Sequence, residues 1–282
     1  MRTSGSRVVL ITGGSRGIGR AVAEKFLEEG AAVVIAARSG SEVRAAAAAL
    51  GKAGSVRGIT GDVAREADVR KIVRAAERIS GAVDVLVNAA GVQPPIGAFA
   101  GVDIGRWKDN IEINLIGTAL CCHAVLPGMI ARGRGKIVNF SGGGAAYSRP
   151  NFSAYAAAKA GIVRFTEVLA DELRPHNIQA YAVSPGAVRT KMIEDILAAP
   201  PERVGSEYEA VRAKERTGFD SGRAAAELVS FLASPAADGI SGRTISAVWD
   251  PWREWAKGTS APEEDLYVLR RIDGRNYVKG RP

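Results

Sequence analysis

Along the chain, short apolar runs rich in β-branched residues alternate with longer segments whose apolar positions recur every three or four residues. The short runs predict strands over Val8–Thr12, Ala32–Ala37, Val56–Thr60, Val83–Asn88, Lys136–Ser141, Ile178–Ser184 and Thr244–Val248. Between them, segments such as IGRAVAEKFLEEG and ADVRKIVRAAERIS carry the helical period. A run like VDVLVNAAG is nearly continuously apolar and needs cover on both faces, the mark of a strand in a parallel sheet. The alternation predicts an α/β fold, a doubly wound parallel sheet of about seven strands with helices on both faces. A single domain, 1–249, accounts for it. Two segments break the rhythm: 190–222, with a Pro200-Pro201 pair and mixed charge, and a tail, 250–282, Trp-rich at first and then polar.

Composition narrows this little. The 282 residues are 46% hydrophobic and 24% charged, ordinary for a globular chain. No apolar stretch approaches the roughly 20 residues of a membrane span, and the N-terminus lacks a signal peptide's apolar run, so a cytoplasmic protein without membrane contact is expected. Adjacent Cys121 and Cys122 suit core thiols, and with only His123 and His176 no metal site is expected. The net charge of +8 is spread along the chain without a nucleic-acid motif, which favours an anionic small molecule over nucleic acid as the partner.

The chemistry starts at the first turn. TGGSRGIGRAVAEKF sets Gly13, Gly17 and Gly19 in the turn and helix start that follow the first strand, where backbone N–H groups and a helix N-terminus can meet a pyrophosphate. That context makes the fold a Rossmann-type dinucleotide site. The second strand ends at Ala37, where a carboxylate would bind the ribose 2′-OH of NAD. Arg38 follows it, and Arg16 and Ser15 lie in the glycine turn; together they could hold a 2′-phosphate, so NADP(H) is the expected cofactor. The competing reading leaves both arginines as solvated surface groups. In NFSAYAAAKAG, a helix sets Tyr155 and Lys159 one turn apart on one face of a run of alanines.

Thr12-Gly13-x-x-x-Gly17-Ile18-Gly19, then Asn88-Ala89-Ala90-Gly91, then Tyr155-x-x-x-Lys159 resemble the signature of the short-chain dehydrogenases/reductases, in order and in approximate spacing, over about residues 7–248. The resemblance implies a hydride-transferring oxidoreductase acting on a ketone or secondary alcohol, with Tyr155 as general acid/base and Lys159 favouring the phenolate and holding the nicotinamide ribose. It further implies that Asp62 and Val63 contact the adenine, and that Ser184–Thr190, with Pro185, Gly186, Val188 and Thr190, flanks the nicotinamide. Asn114 matches a fourth catalytic member that holds a relay water; otherwise it bonds its own helix. The family's carbonyl-binding serine lies 12 or 13 residues before the tyrosine, where this chain has Gly143 and Gly142. Ser141 is the favoured substitute, through one extra loop residue, with Ser153 the alternative. Residues 190–222 occupy the family's substrate-lid position and are rather basic. Trp249, Trp252 and Trp255 are read as subunit-interface anchors or as a pocket wall. Homotetramers or homodimers are expected by analogy. A cofactor-binding sensor or scaffold without turnover, and a nucleotide-sugar-modifying enzyme, stand as alternatives.

Overall fold

The computed structural model describes residues 7–258, Pro262 and 266–270. Seven strands, β1 (Val8–Thr12), β2 (Ala32–Ala37), β3 (Val56–Thr60), β4 (Val85–Asn88), β5 (Gly135–Phe140), β6 (Ile178–Ser184) and β7 (Thr244–Ser246), form one sheet. Their order is β3-β2-β1-β4-β5-β6-β7, and every pairing is parallel. The order reverses between β1 and β4, which opens a crevice at the carboxyl ends of the central strands. Four strands have the expected bounds. The other three differ by one or two residues at an end, where ladder-type bonds outlast the regular strand, as in Ser141 N to Val183 O at 2.9 Å.

Eleven helices complete the described part: α1 (Gly17–Glu28), α2 (Gly40–Leu50), α3 (Glu66–Ser80), α4 (Ile104–Ile111), α5 (Gly117–Arg132), α6 (Ser153–Leu173), α7 (Lys191–Ala198), α8 (Pro201–Val204), α9 (Glu207–Thr217), α10 (Arg223–Leu232) and α11 (Trp252–Trp255). The side-chain period of two splits the sheet's apolar residues between two cores. Val9, Ile11, Val33, Ile35 and Val138 meet α1, α2, α10 and α11 on one face. Val8, Leu10, Val34, Leu86 and Ile137 meet α3, α5 and α6 on the other. Each such side chain contributes roughly 1.5–3 kcal/mol by leaving water, so the paired cores hold the strand ends rigid beneath the crevice.

Two expectations need revision. The helical run 104–132 is long and apolar enough to cross a bilayer by length and composition, which the sequence reading had found nowhere. Packing accounts for part of its apolarity: 39% of the apolar window is buried, with Cys121, Cys122, Val125 and Met129 against the sheet. The tail's first turn also joins the main core. Trp252 is 4% exposed and stacks on Phe231, and Trp255 meets Tyr267 edge to face. Trp249 is 84% exposed. Residues 271–282, the end of the polar stretch, lie outside the described part.

Residues 190–222 fold as α7, α8 and α9, and Thr190, Lys191, Met192 and Asp195 line the crevice. The helices are held by a small separate core in which Phe152 meets Ile196, Val204 and Val211.

Candidate active site

The turn after β1 is built from backbone, and its glycines are required by contact. Gly13 has φ +67°, and a Cβ there would lie 2.7 Å from the Ala90 nitrogen; a Cβ on Gly19 would lie 2.5 Å from the Gly13 oxygen. No side chain of α1's preceding residue caps the helix, so its first N–H groups face the crevice. The crevice holds a cleft of about 530 Å³. Gly13, Ser15, Arg16, Gly17, Ile18, Gly19, Arg38, Asp62, Val63, Ala89, Gly91 and Thr190 all line it. Twelve residues expected from five separate stretches of sequence are thus brought to one cleft.

Other expected cofactor residues lie elsewhere. Asn88 is buried between strands, its amide donating to Asn139 Oδ1 at 2.9 Å, so it ties β4 to β5. Pro185, Gly186, Val188, Tyr155, Lys159 and Ser141 do not line the cleft. Gly186 sits with φ +79° beneath Val248, and Val188 is bridged to Asp220. The sequence reading missed Glu42, Asn110 and Met192, which share the cleft wall. Glu42 begins α2, its N–H donating to the Ser39 hydroxyl, and its carboxylate stands 3.7 Å from Arg16. The cap signature Ser39-x-x-Glu42 was the signal available for it.

Asn114 lies in a single π turn, Glu112–Ile116, between α4 and α5. Such turns often mark functional sites. It is fully buried, and its amide donates to Val92 O at 3.0 Å and to Asn110 Oδ1 at 2.8 Å, while its oxygen accepts from Val92 N at 3.2 Å. Asn110 in turn donates to Pro94 O at 2.7 Å. The two amides pin the loop after β4 against the helix.

The helix α6 carries Tyr155 and Lys159 on its buried face, with the Lys159 ammonium 5.5 Å from the Tyr155 ring centroid. Its alanines permit close approach: a Cβ on Gly144 would come within 2.7 Å of Ala156 Cβ. Lys159 Nζ donates to Phe140 O at 2.7 Å, anchoring the ammonium to the end of β5. Burial lowers the Lys159 pKa to about 8. Burial likewise raises the Tyr155 pKa to about 12, opposed by the Arg149 charge and reinforced by Glu207 and Tyr147. The expected drift of the phenol toward phenolate is therefore reversed within the protein itself, because desolvation outweighs the neighbouring positive charge.

Around that hydroxyl the glycine-rich loop is shaped by contact. A Cβ on Gly142 would fall 2.5 Å from Tyr155 Oη, so backbone rather than a side chain faces the phenol where the resemblance led one to look for a serine. Ser141, one residue earlier, is 4% exposed, and its hydroxyl makes no hydrogen bond among the described residues. Ser153 is engaged elsewhere, accepting from Trp107 Nε1 at 3.1 Å. Arg149, which the sequence reading did not single out, lies over the Phe152 ring at 4.0 Å and the Tyr155 ring at 5.3 Å, and is paired with Glu207 of α9.

A sequence model of the short chain dehydrogenases matches residues 7–200. The chain is 36% identical to the short-chain reductase protein NovJ of Streptomyces niveus over 244 residues, 84% of this chain and 91% of that one. It is 32% identical to the 3-oxoacyl-[acyl-carrier-protein] reductase FabG of Aquifex aeolicus (strain VF5), over 85% of this chain and 94% of that one. Among solved structures it superposes on a variant of actinorhodin polyketide ketoreductase with NADPH, with a TM-score of 0.76, 30% identity, and 87% and 97% of the two chains covered.

Proposed function

Because the chain belongs to the short-chain dehydrogenases/reductases, a family of oxidoreductases acting on small molecules, we propose that it is an NADP(H)-dependent ketone reductase working through Tyr155. The observation that carries this reading is the placement of a glycine-built cleft at the same end of the sheet as a buried Tyr155–Lys159 pair. The cradle fits a dinucleotide, since Gly13, Gly17 and Gly19 line the cleft and the uncapped start of α1 lies there. Arg38 and Arg16 take the 2′-phosphate, with the NADPH of the ketoreductase neighbour as support. Ser15, Gly17, Ile18, Asp62, Val63, Ala89, Gly91 and Thr190 complete the cofactor wall.

When bound, the cofactor supplies or accepts a hydride. The protein handles the proton. The Tyr155 hydroxyl, kept protonated by its burial, hydrogen-bonds a ketone oxygen and donates its proton as negative charge develops there. In the reverse direction the phenolate accepts the alcohol proton. Lys159, fixed to Phe140 O, holds the ribose hydroxyls and offsets the phenolate charge. Ser141 supplies the second hydrogen bond to the substrate oxygen, and Asn114 orders the relay beneath. We read the molecule as a cytoplasmic homotetramer or homodimer.

The test is oxidation of NADPH and NADH, measured separately, by the wild type across β-ketoacyl thioesters, keto sugars and cyclic diketones. Turnover with NADPH in preference to NADH is expected. Tight NADPH binding with silence across the panel would instead favour a second reading, a cofactor-binding sensor. The feature in its favour is Gly142, which leaves backbone beside the phenol.

A further inference from the structure

Arg149 is held too deliberately for a loop arginine. Its side chain is 12% exposed, and Glu207 grips it as a fork, with Nε to Oε2 at 2.7 Å and a second, short contact from Nη2 to Oε1. The glycine run makes its socket. A Cβ on Gly144 would stand 3.1 Å from Arg149 Cβ, and one on Gly143 3.7 Å from its Cδ and Nε. Phe152 lies under the guanidinium and Tyr155 beside it. The other cation at Tyr155, Lys159, is committed to Phe140 O.

Glu207 belongs to the lid. Tyr155 is 6% exposed, so a ketone can reach it only when part of its surroundings shifts, and Glu207 is among the charges that bear on it. The lid's ties to this loop are the Arg149–Glu207 pair, Asn151 Nδ2 to Val204 O at 3.3 Å, and the small Phe152 core. When Glu207 withdraws, a mostly buried guanidinium loses its counter-charge, which is costly. A substrate carboxylate restores the same bidentate geometry. A neutral substrate does not.

We infer that Arg149 is the substrate-anion anchor of this site, that Glu207 stands in for a substrate carboxylate, and that the preferred substrates are short keto acids or the matching hydroxy acids. The proposal rests on the reductase reading for its reacting group, but not for its anion site. The guanidinium carbon lies 5.3 Å from the Tyr155 ring centroid, which sets the anion site beside the reacting residue.

The experiment compares 4-oxopentanoate with its methyl ester as substrates. It also measures binding of glutarate, a non-reacting diacid, to the NADPH complex by calorimetry. Wild type, Arg149→Met, Arg149→Lys and Glu207→Gln are used. The acid should exceed the ester tenfold or more in kcat/KM, and Arg149→Met should collapse that ratio through the KM of the acid. Glutarate should bind the wild type, bind Arg149→Met at least tenfold more weakly and Arg149→Lys at an intermediate level. Glu207→Gln, which frees the arginine, should bind it severalfold more tightly; a mere structural tie predicts no gain. Glutarate binding that is absent, or equal in wild type and Arg149→Met, overturns the proposal. Weaker binding in Glu207→Gln does so too, and that variant decides the matter if Arg149→Met fails to fold. Arg149-dependent glutarate binding with neither ketone turned over would sink the reductase reading and leave the anion site standing.

Discussion

The two ends of the crevice are made of different material. The cleft after β1 is walled largely by backbone, with glycines admitting the chain to itself at contact distance and a helix N-terminus facing inward. The corner around Tyr155 adds charged side chains to backbone: the Phe140 carbonyl at the end of β5 and the Gly142 backbone meet Lys159 and Tyr155 of α6, with Arg149 of the loop and Glu207 of α9. Backbone cradles tolerate almost no substitution but need no tuning of charge. The side-chain corner tolerates change in shape, yet its chemistry depends on desolvation and on three charges, Lys159, Arg149 and Glu207. A diphosphate can be recognised in the first kind of site by any member of a large family; a substrate has to be chosen in the second.

The largest expected effect separates the two ends. Tyr155→Phe should lower kcat by about 10³-fold, within the range for loss of a general acid, with the NADPH dissociation constant within twofold of wild type. Gly13→Ala should do the opposite, weakening NADPH binding because its Cβ meets the Ala89–Ala90 backbone. Equal losses of binding in both variants would erase the distinction. Next, Ser141→Ala should cost about 10²-fold in kcat, the scale of a lost oxyanion donor, and Ser153→Ala much less, since its oxygen serves Trp107. The reverse ranking would transfer the substrate hydrogen bond to Ser153.

A smaller effect lies at the cofactor's far end. Arg38→Asp should reduce the NADPH-to-NADH ratio of kcat/KM by roughly tenfold, the worth of one charge-assisted contact; an unaltered ratio would remove Arg38 from the 2′-phosphate. Of a different kind is a pH effect on stability. Because the folded Lys159 pKa is lowered from 10.5 to about 8, the unfolded chain holds the extra proton between those values. Stability therefore rises with pH through that window, by at most about 3 kcal/mol. Lys136 is also lowered by burial and adds a rise of the same sign. Against this, Cys121 and Cys122, raised from 9.0 by burial, and Tyr155, raised from 10.0 to about 12, lower stability from about pH 9 and pH 10 upward. Melting the cofactor-free protein from pH 7.5 to 9.5 should show a shallower rise in Lys159→Met than in wild type. Parallel slopes would mean that burial is not perturbing the lysine.

Much of the fold could be read from local pattern. Val8–Thr12 and Ile178–Ser184 are legible because strands buried on both faces are written as unbroken apolar runs, and Gly13, Gly17 and Gly19 because only glycine fits so close a turn. The tryptophans of the tail were misjudged, since a Trp-rich segment reads alike whether it packs on its own core, as Trp252 and Trp255 do, or stands exposed, as Trp249 does. Ser141 could be nominated but not placed. That Gly142 faces the Tyr155 hydroxyl depends on the path of the loop after β5, which no residue count reveals.

The sequence by itself determined the sheet, its glycine turn and the Tyr155–Lys159 spacing, because each follows from short-range periodicity or from a steric demand within a few residues. Tertiary structure alone decided the charge state of the corner. Burial raises the phenol and lowers the ammonium, and folding brings Glu207 across 58 positions to Arg149. Desolvation and long-range charge pairing are properties of where chain segments meet, and no local stretch of sequence encodes them.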